Sequence, residues 1–194
     1  MTILLLGLVL FLGAHSVRIV GDGWRTRMIS QLGMQRWKAV YSLVALAGLV
    51  LIVWGFAQAR HAAPQLWTPP LWTKHLNLLV MLLAMILLGA SHSPKSHFKT
   101  ILHHPMTWSV ALFSGGHLLA NGTLADLVLF GALFVWSVAA LFSAYARDRS
   151  DRIRYAEPAW RSTLIAIAAG TAVWALFVFW LHLWLFGVAP LARG

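Results

Sequence analysis

Between Lys38 and Arg60 the chain reads 39-AVYSLVALAGLVLIVWGFAQ-58, twenty residues without a charge. A helix rises ~1.5 Å per residue, so this run covers ~30 Å, the thickness of a bilayer's hydrocarbon core. Five more apolar runs stand near residues 3–20, 71–90, 105–120, 124–145 and 162–188. The first is purely apolar only over 3–14, and the fourth is the shortest. Together the six runs predict an all-α fold: a polytopic membrane helical bundle of six transmembrane helices, one domain over residues 1–194.

Composition agrees. Apolar residues make up 60% of the 194 and charged residues 10%, against about a quarter charged in soluble proteins. With a mean hydropathy of +0.75, this excludes a secreted, nuclear or cytosolic globule. The absence of Cys excludes disulfides, iron–sulfur clusters, thiolate haem ligation, zinc knuckles and cysteine nucleophiles. Nor does the sequence hold a phosphate-binding glycine loop, an HExxH element or paired intramembrane carboxylates.

The net charge of +10 would suit nucleic acid, but its distribution argues otherwise. The first loop holds Arg18, Arg25, Arg27, Arg36 and Lys38, the third Lys95 and Lys99, and the fifth Arg147, Arg149, Arg152, Arg154 and Arg161. That is 12 of the 15 Lys and Arg; only Arg60, Lys74 and Arg193 fall on the other side. The positive-inside rule then places the three basic loops in the cytoplasm and both termini on the outer, periplasmic side of a bacterial inner membrane. The basicity is topological, with some attraction to anionic lipid, and predicts no nucleic-acid partner. Ala14-His15-Ser16 loosely fits a cleavage site. No positive charge precedes the apolar run, however, so an uncleaved first helix is expected.

Turn chemistry is local. Asn121-Gly122 marks a turn, with Thr123 and Asp126 spaced as a helix cap. Gly115-Gly116 suits close helix packing, and Glu157-Pro158 a helix boundary.

Nine His are many for a chain in lipid, where each polar side chain needs a reason. His15 falls towards the cytoplasmic end of the first helix. His103 and His104 open the fourth at the same side, beside Pro105. His92 and His97 lie in the cytoplasmic loop, and His61 in an outer one. His75, His117 and His182 fall near the outer ends of the third, fourth and sixth helices. Pairing His15 with His104 or His103 would ligate a haem from opposite faces. Arg18 would then be placed for a propionate, with Arg36 and Lys38 as further candidates. The same pair also reads as interfacial histidines with access to water. The outer cluster of His75, His117 and His182 suits a second cofactor, a metal or a quinone head group, or simply three helix ends. Thirteen residues of helix separate His104 from His117 by ~20 Å, too far for one iron.

Several elements resemble a known family. They are 11-FLGAHSVR-18, 37-WKAVYS-42, 66-LWTPP-70, His104-Pro105, 117-HLLANG-122 and 185-LFGVAP-190. Together they are similar to the NnrU family of bacterial membrane proteins across essentially the whole chain. That resemblance implies a role supporting denitrification, in producing nitrite and nitric oxide reductase activity, with denitrification or electron-transfer membrane proteins as partners. It further implies kinship with 15-cis-zeta-carotene isomerase, a multi-pass membrane protein using haem b. Carried onto this chain, the HS and HP histidines, His15 and His104, become the axial ligands. The alternatives it leaves are a haem-dependent cis–trans isomerase of a carotenoid-like polyene and a cofactor-free membrane assembly partner. The HP element is also distantly similar to that of integral-membrane methyltransferases. Their preceding Arg and later acidic pair are not matched here, where His103 precedes it and Glu157 stands alone.

Overall fold

The computed structural model describes residues 1–191, so Arg193, one of the three outer cations counted above, lies outside the described residues. Among those residues the regular structure is all helical, apart from one isolated antiparallel bridge between Gln65 and Thr123. Among the described residues five helices are long and apolar enough to cross a membrane: Thr2–Val20, Met34–Ala62, Leu71–Ser91, Leu124–Ser150 and Trp160–Phe186. We label them α1, α3, α4 and α7 for the first four. The last divides into α8 (Trp160–Leu176), a π turn (Phe177–Leu181) and α9 (His182–Phe186). The expected fourth run is a helix too, α6 (Pro105–Ala120), but its 16 residues span only ~24 Å. Proline fixes its start, and Asn121, with extended backbone, ends it.

Two short helices lie where loops were expected. α2 (Asp22–Leu32) occupies the first loop, between Gly21 and Gly33, and buries none of its residues. α5 (His97–Leu102) occupies the third, capped by Ser96, whose hydroxyl accepts from the Lys99 amide. The second run is also longer than expected. α3 begins at Met34 and ends at Ala62, because Arg36, Lys38 and Arg60 near its ends can extend their charged heads to water while their stems stay helical.

The chain forms two compact units. The first comprises Met1–Thr68 and Gly122–Ala144. Within it α1 and α3 pack antiparallel, with Leu4 against Gly55, Gly7 against Ile52 and Phe11 against Gly48. Steps of three and four up one helix match the same steps down the other. The backbones nearly touch: a methyl on Gly48 would fall 2.6 Å from the Phe11 nitrogen, and one on Gly7 2.6 Å from that of Ile52. Small residues at such seams let dispersion forces act where lipid removes the hydrophobic drive. The 124–144 part of α7 joins this unit, with Phe130 ringed against Phe56. Its start is a reciprocal cap. Thr123 N and Oγ1 donate to Asp126 Oδ2 at 3.1 and 2.6 Å, and the Asp126 amide donates to Thr123 Oγ1 at 3.2 Å. Residues 64–66 pair with this start through Leu66 N to Gly122 O at 2.8 Å and Leu124 N to Pro64 O at 3.0 Å. Gly122 lies against the Trp67 carbonyl, leaving no room for a side chain.

The second unit comprises Pro69–Asn121 and Tyr145–Gly194. Its centre is α4, with α8 seated on it through Gly89, Ala166 and Gly170, and α6 through Gly116 against Asn77 and Met81. The indole of Trp174 donates to the Leu78 carbonyl at 3.0 Å. In both units large apolar side chains point outward, among them Val9, Val135, Phe142 and Trp184, each about 70% exposed. That surface suits lipid rather than water.

Candidate functional site

His15 sits in the first unit, one helical turn beyond Phe11. Its Nδ1 lies 2.7 Å from the Phe11 carbonyl oxygen. A carbonyl only accepts, so Nδ1 carries a proton and donates, and in the neutral ring the lone pair falls on Nε2. Nε2 makes no hydrogen bond to any described residue. Three rings surround the imidazole: Phe11 at 4.3 Å, Tyr41 at 5.4 Å and Trp136 at 5.8 Å between centroids. The Trp136 indole N–H is itself buried without a hydrogen-bond partner among the described residues. A backbone carbonyl that fixes one ring nitrogen and frees the other is how metal-binding histidines are commonly oriented. Arg18, three residues on and exposed in the last turn of α1, lies on the same side of the helix.

His103 and His104 sit in the second unit, at the turn between α5 and α6. His103 adopts φ 60°, and His104 precedes α6 as its cap residue. Both face one carboxylate, Asp148, in the last turn of α7. His104 Nε2 is 2.9 Å from Asp148 Oδ2, and His103 Nδ1 is 3.8 Å from it. The closer contact engages the buried Nε2 of His104 with the carboxylate. The Tyr155 hydroxyl donates to the same carboxylate oxygen at 2.7 Å, and its ring stacks on His103 at 4.0 Å. Behind them the Tyr145 hydroxyl donates to the Leu102 carbonyl at 2.7 Å and accepts from the Trp108 indole at 2.9 Å. Burial lowers the His104 pKa, while Asp148 pulls it the other way, so the neutral imidazole needed for metal ligation is favoured. Burial and the bond to Asp148 push the Tyr155 hydroxyl above its ordinary value.

The outer histidines are held separately. His117 Nδ1 lies 3.2 Å from Asn77 Nδ2 in the α4–α6 seam, while Asn77 Oδ1 is buried there without a hydrogen-bond partner. His182 Nδ1 meets the Val188 carbonyl at 2.7 Å, and His75 is exposed. Among the described residues no group of three His, Asp or Glu is arranged to hold a metal ion. His97, expected in the cytoplasmic loop, is a fastening. Its Nδ1 lies 2.8 Å from Thr163 Oγ1, its amide donates to that oxygen at 2.9 Å, and its ring lies 4.4 Å from that of Trp160.

Sequence reasoning singled out His15, His104 and Arg18 as candidates but missed what surrounds His104. Asp148 and Tyr155 stand in a basic stretch that reads as topology. An acid set between Arg147 and Arg149 was the available signal.

The chain belongs to the NnrU protein family, whose model matches residues 3–190. No curated protein and no solved structure matches it.

Proposed function

We propose that this NnrU protein binds haem b, which His15 and His104 would hold, and supports the denitrification machinery of the bacterial inner membrane. The observation that carries the reading is His15 itself. Its tautomer is set by the Phe11 carbonyl, with Nε2 unprotonated in an aromatic nest. His104 contributes a buried ring nitrogen held 2.9 Å from Asp148, which would have to release it to the iron. Arg18 would pair with a propionate, and Tyr41 and Trp136 would exclude water from the ligand. Bound there, haem would supply a one-electron redox centre, and partners that deliver or accept that electron would be membrane proteins of the same respiratory branch. Six crossings complete the reading, with both termini outside and α6 as the shortest span.

The test is the oxidised and dithionite-reduced absorption spectrum of detergent-purified protein from haem-replete cells. A low-spin b-type spectrum is expected, lost in His15→Ala and in His104→Ala and retained in His117→Ala. Colourless wild-type protein would overturn the haem. A band lost in His117→Ala but kept in His104→Ala would move the second ligand to the other end of α6. For the physiological role, a clean deletion strain should lose nitrite and nitric oxide reductase activity, and normal activities in it would sink that role.

A further inference from the structure

The α1–α3 hairpin ends where its apolar sequence ends, and α2 closes that end. The segment from Arg18 to Lys38 holds five cations, Arg18, Arg25, Arg27, Arg36 and Lys38, against the single acid Asp22. Arg25 lies 3.6 Å from Asp22. Arg27, Arg36 and Lys38 are exposed and make no ion pair among the described residues. On α2 the residues Trp24, Met28 and Leu32 recur every fourth position, which aligns them along one side. Trp24 is 47% and Leu32 42% exposed. Trp24 also meets Trp37 of α3 edge-on at 5.7 Å. Indoles sit preferentially at head-group depth, and a short helix with an apolar stripe beside cations lies in the plane of the interface.

We propose that this elbow of α1, α2 and α3 is a binding site for an anionic phospholipid. Arg27, Arg36 and Lys38 would supply the positive field that attracts the phosphate, Arg36 and Lys38 from different sides of α3, and the Trp24–Met28–Leu32 stripe would lie against the acyl chains. Two features favour lipid over a protein partner: an unbalanced charge of one sign, and an apolar stripe fixed at the end of two apolar helices. The site needs no haem and stands apart from the function proposed above.

Native mass spectrometry of the full-length protein in mild detergent tests it, with phosphatidylglycerol and phosphatidylcholine as probes. Preferential retention of phosphatidylglycerol is expected. Each cation removed should weaken it about fivefold, so Arg27→Gln/Arg36→Gln/Lys38→Gln together should weaken it roughly a hundredfold. Equal retention of both lipids, or a triple variant that binds like the wild type, would overturn the proposal. Displacement of phosphatidylglycerol by inorganic phosphate would also overturn it, as a free-anion site. The absence of Cys gives a second measurement that leaves these cations intact. Nitroxide labels on Met28→Cys and Ser30→Cys are compared in phosphatidylglycerol-containing vesicles. Collisions with oxygen should dominate for the first and with a water-soluble nickel chelate for the second. Equal water exposure of both labels would show that the stripe does not enter the membrane, and would likewise overturn the assignment.

Discussion

One carboxylate organises the histidine turn. Asp148 receives the Tyr155 hydroxyl at 2.7 Å and has His104 at 2.9 Å and His103 at 3.8 Å. Removing the hydroxyl while keeping the ring, as in Tyr155→Phe, should cost about 1 kcal/mol, read as a lowered thermal midpoint with the His103 stack intact. The same variant has a pH signature. Tyr155 is raised above 10.0 in the folded protein, so the folded state keeps a proton that the unfolded chain releases. Its contribution to stability is therefore complete below pH 10 and lost as the pH climbs towards the raised value. Tyr155→Phe should flatten that alkaline loss, and an unchanged alkaline limb would contradict the assignment. None of this was visible along the chain. His104 and Asp148 are 44 residues apart, and an acid among arginines reads as part of a solvated charge run. His15 was easier to place, because its partner, Phe11, is one turn away on the same helix.

At the scale of elements, local signals were readable and contacts between elements were not. The Thr123–Asp126 cap follows from spacing alone, and the structure closes it in both directions. Thr123→Ala should cost about 1 kcal/mol, measured by thermal unfolding in detergent. By contrast, α2 escaped detection because Gly21 and Gly33 read as breaks and its central run mixes Arg, Thr and Ser with apolar residues. Gly33 adopts φ 79°, a turn that separates two helices without a long loop. The α1–α3 seam was also hidden, since glycines in an apolar run do not name the helix they touch. Gly48→Val should drive Phe11 and α1 away at a cost of about 1–3 kcal/mol. Gly13→Val, where an added Cβ meets nothing within 4 Å, is the control that should unfold close to wild type. Equal destabilisation of the two variants would mean that glycine's contribution is not this contact.

For the whole molecule, the open quantity is the number of crossings, and α6 decides it. If the 16-residue α6 crosses, the chain makes six passes and both termini share a side. If it does not, five passes separate them. A helix of ~24 Å can still cross where the bilayer thins locally or flanking residues extend to the interface, at a fraction of a kcal/mol per ångström of mismatch. His103 and His104 at one end and the Asn121-Gly122 turn at the other supply polar groups for both interfaces. The charge distribution argues for the crossing, because it puts 12 of 15 cations on one side only when six passes are counted. Because the chain has no Cys, single cysteines can report sidedness without background. In intact spheroplasts, an impermeant maleimide should label Thr2→Cys and Asn121→Cys but reach Ser150→Cys only after permeabilisation. Asn121 reports that turn because its neighbour Gly122 abuts Trp67 and has no room for a side chain. Protection of this turn together with exposure of Thr2→Cys would mean that α6 does not cross. The cytoplasmic placement of the fifth basic loop would then have to be drawn again from five passes.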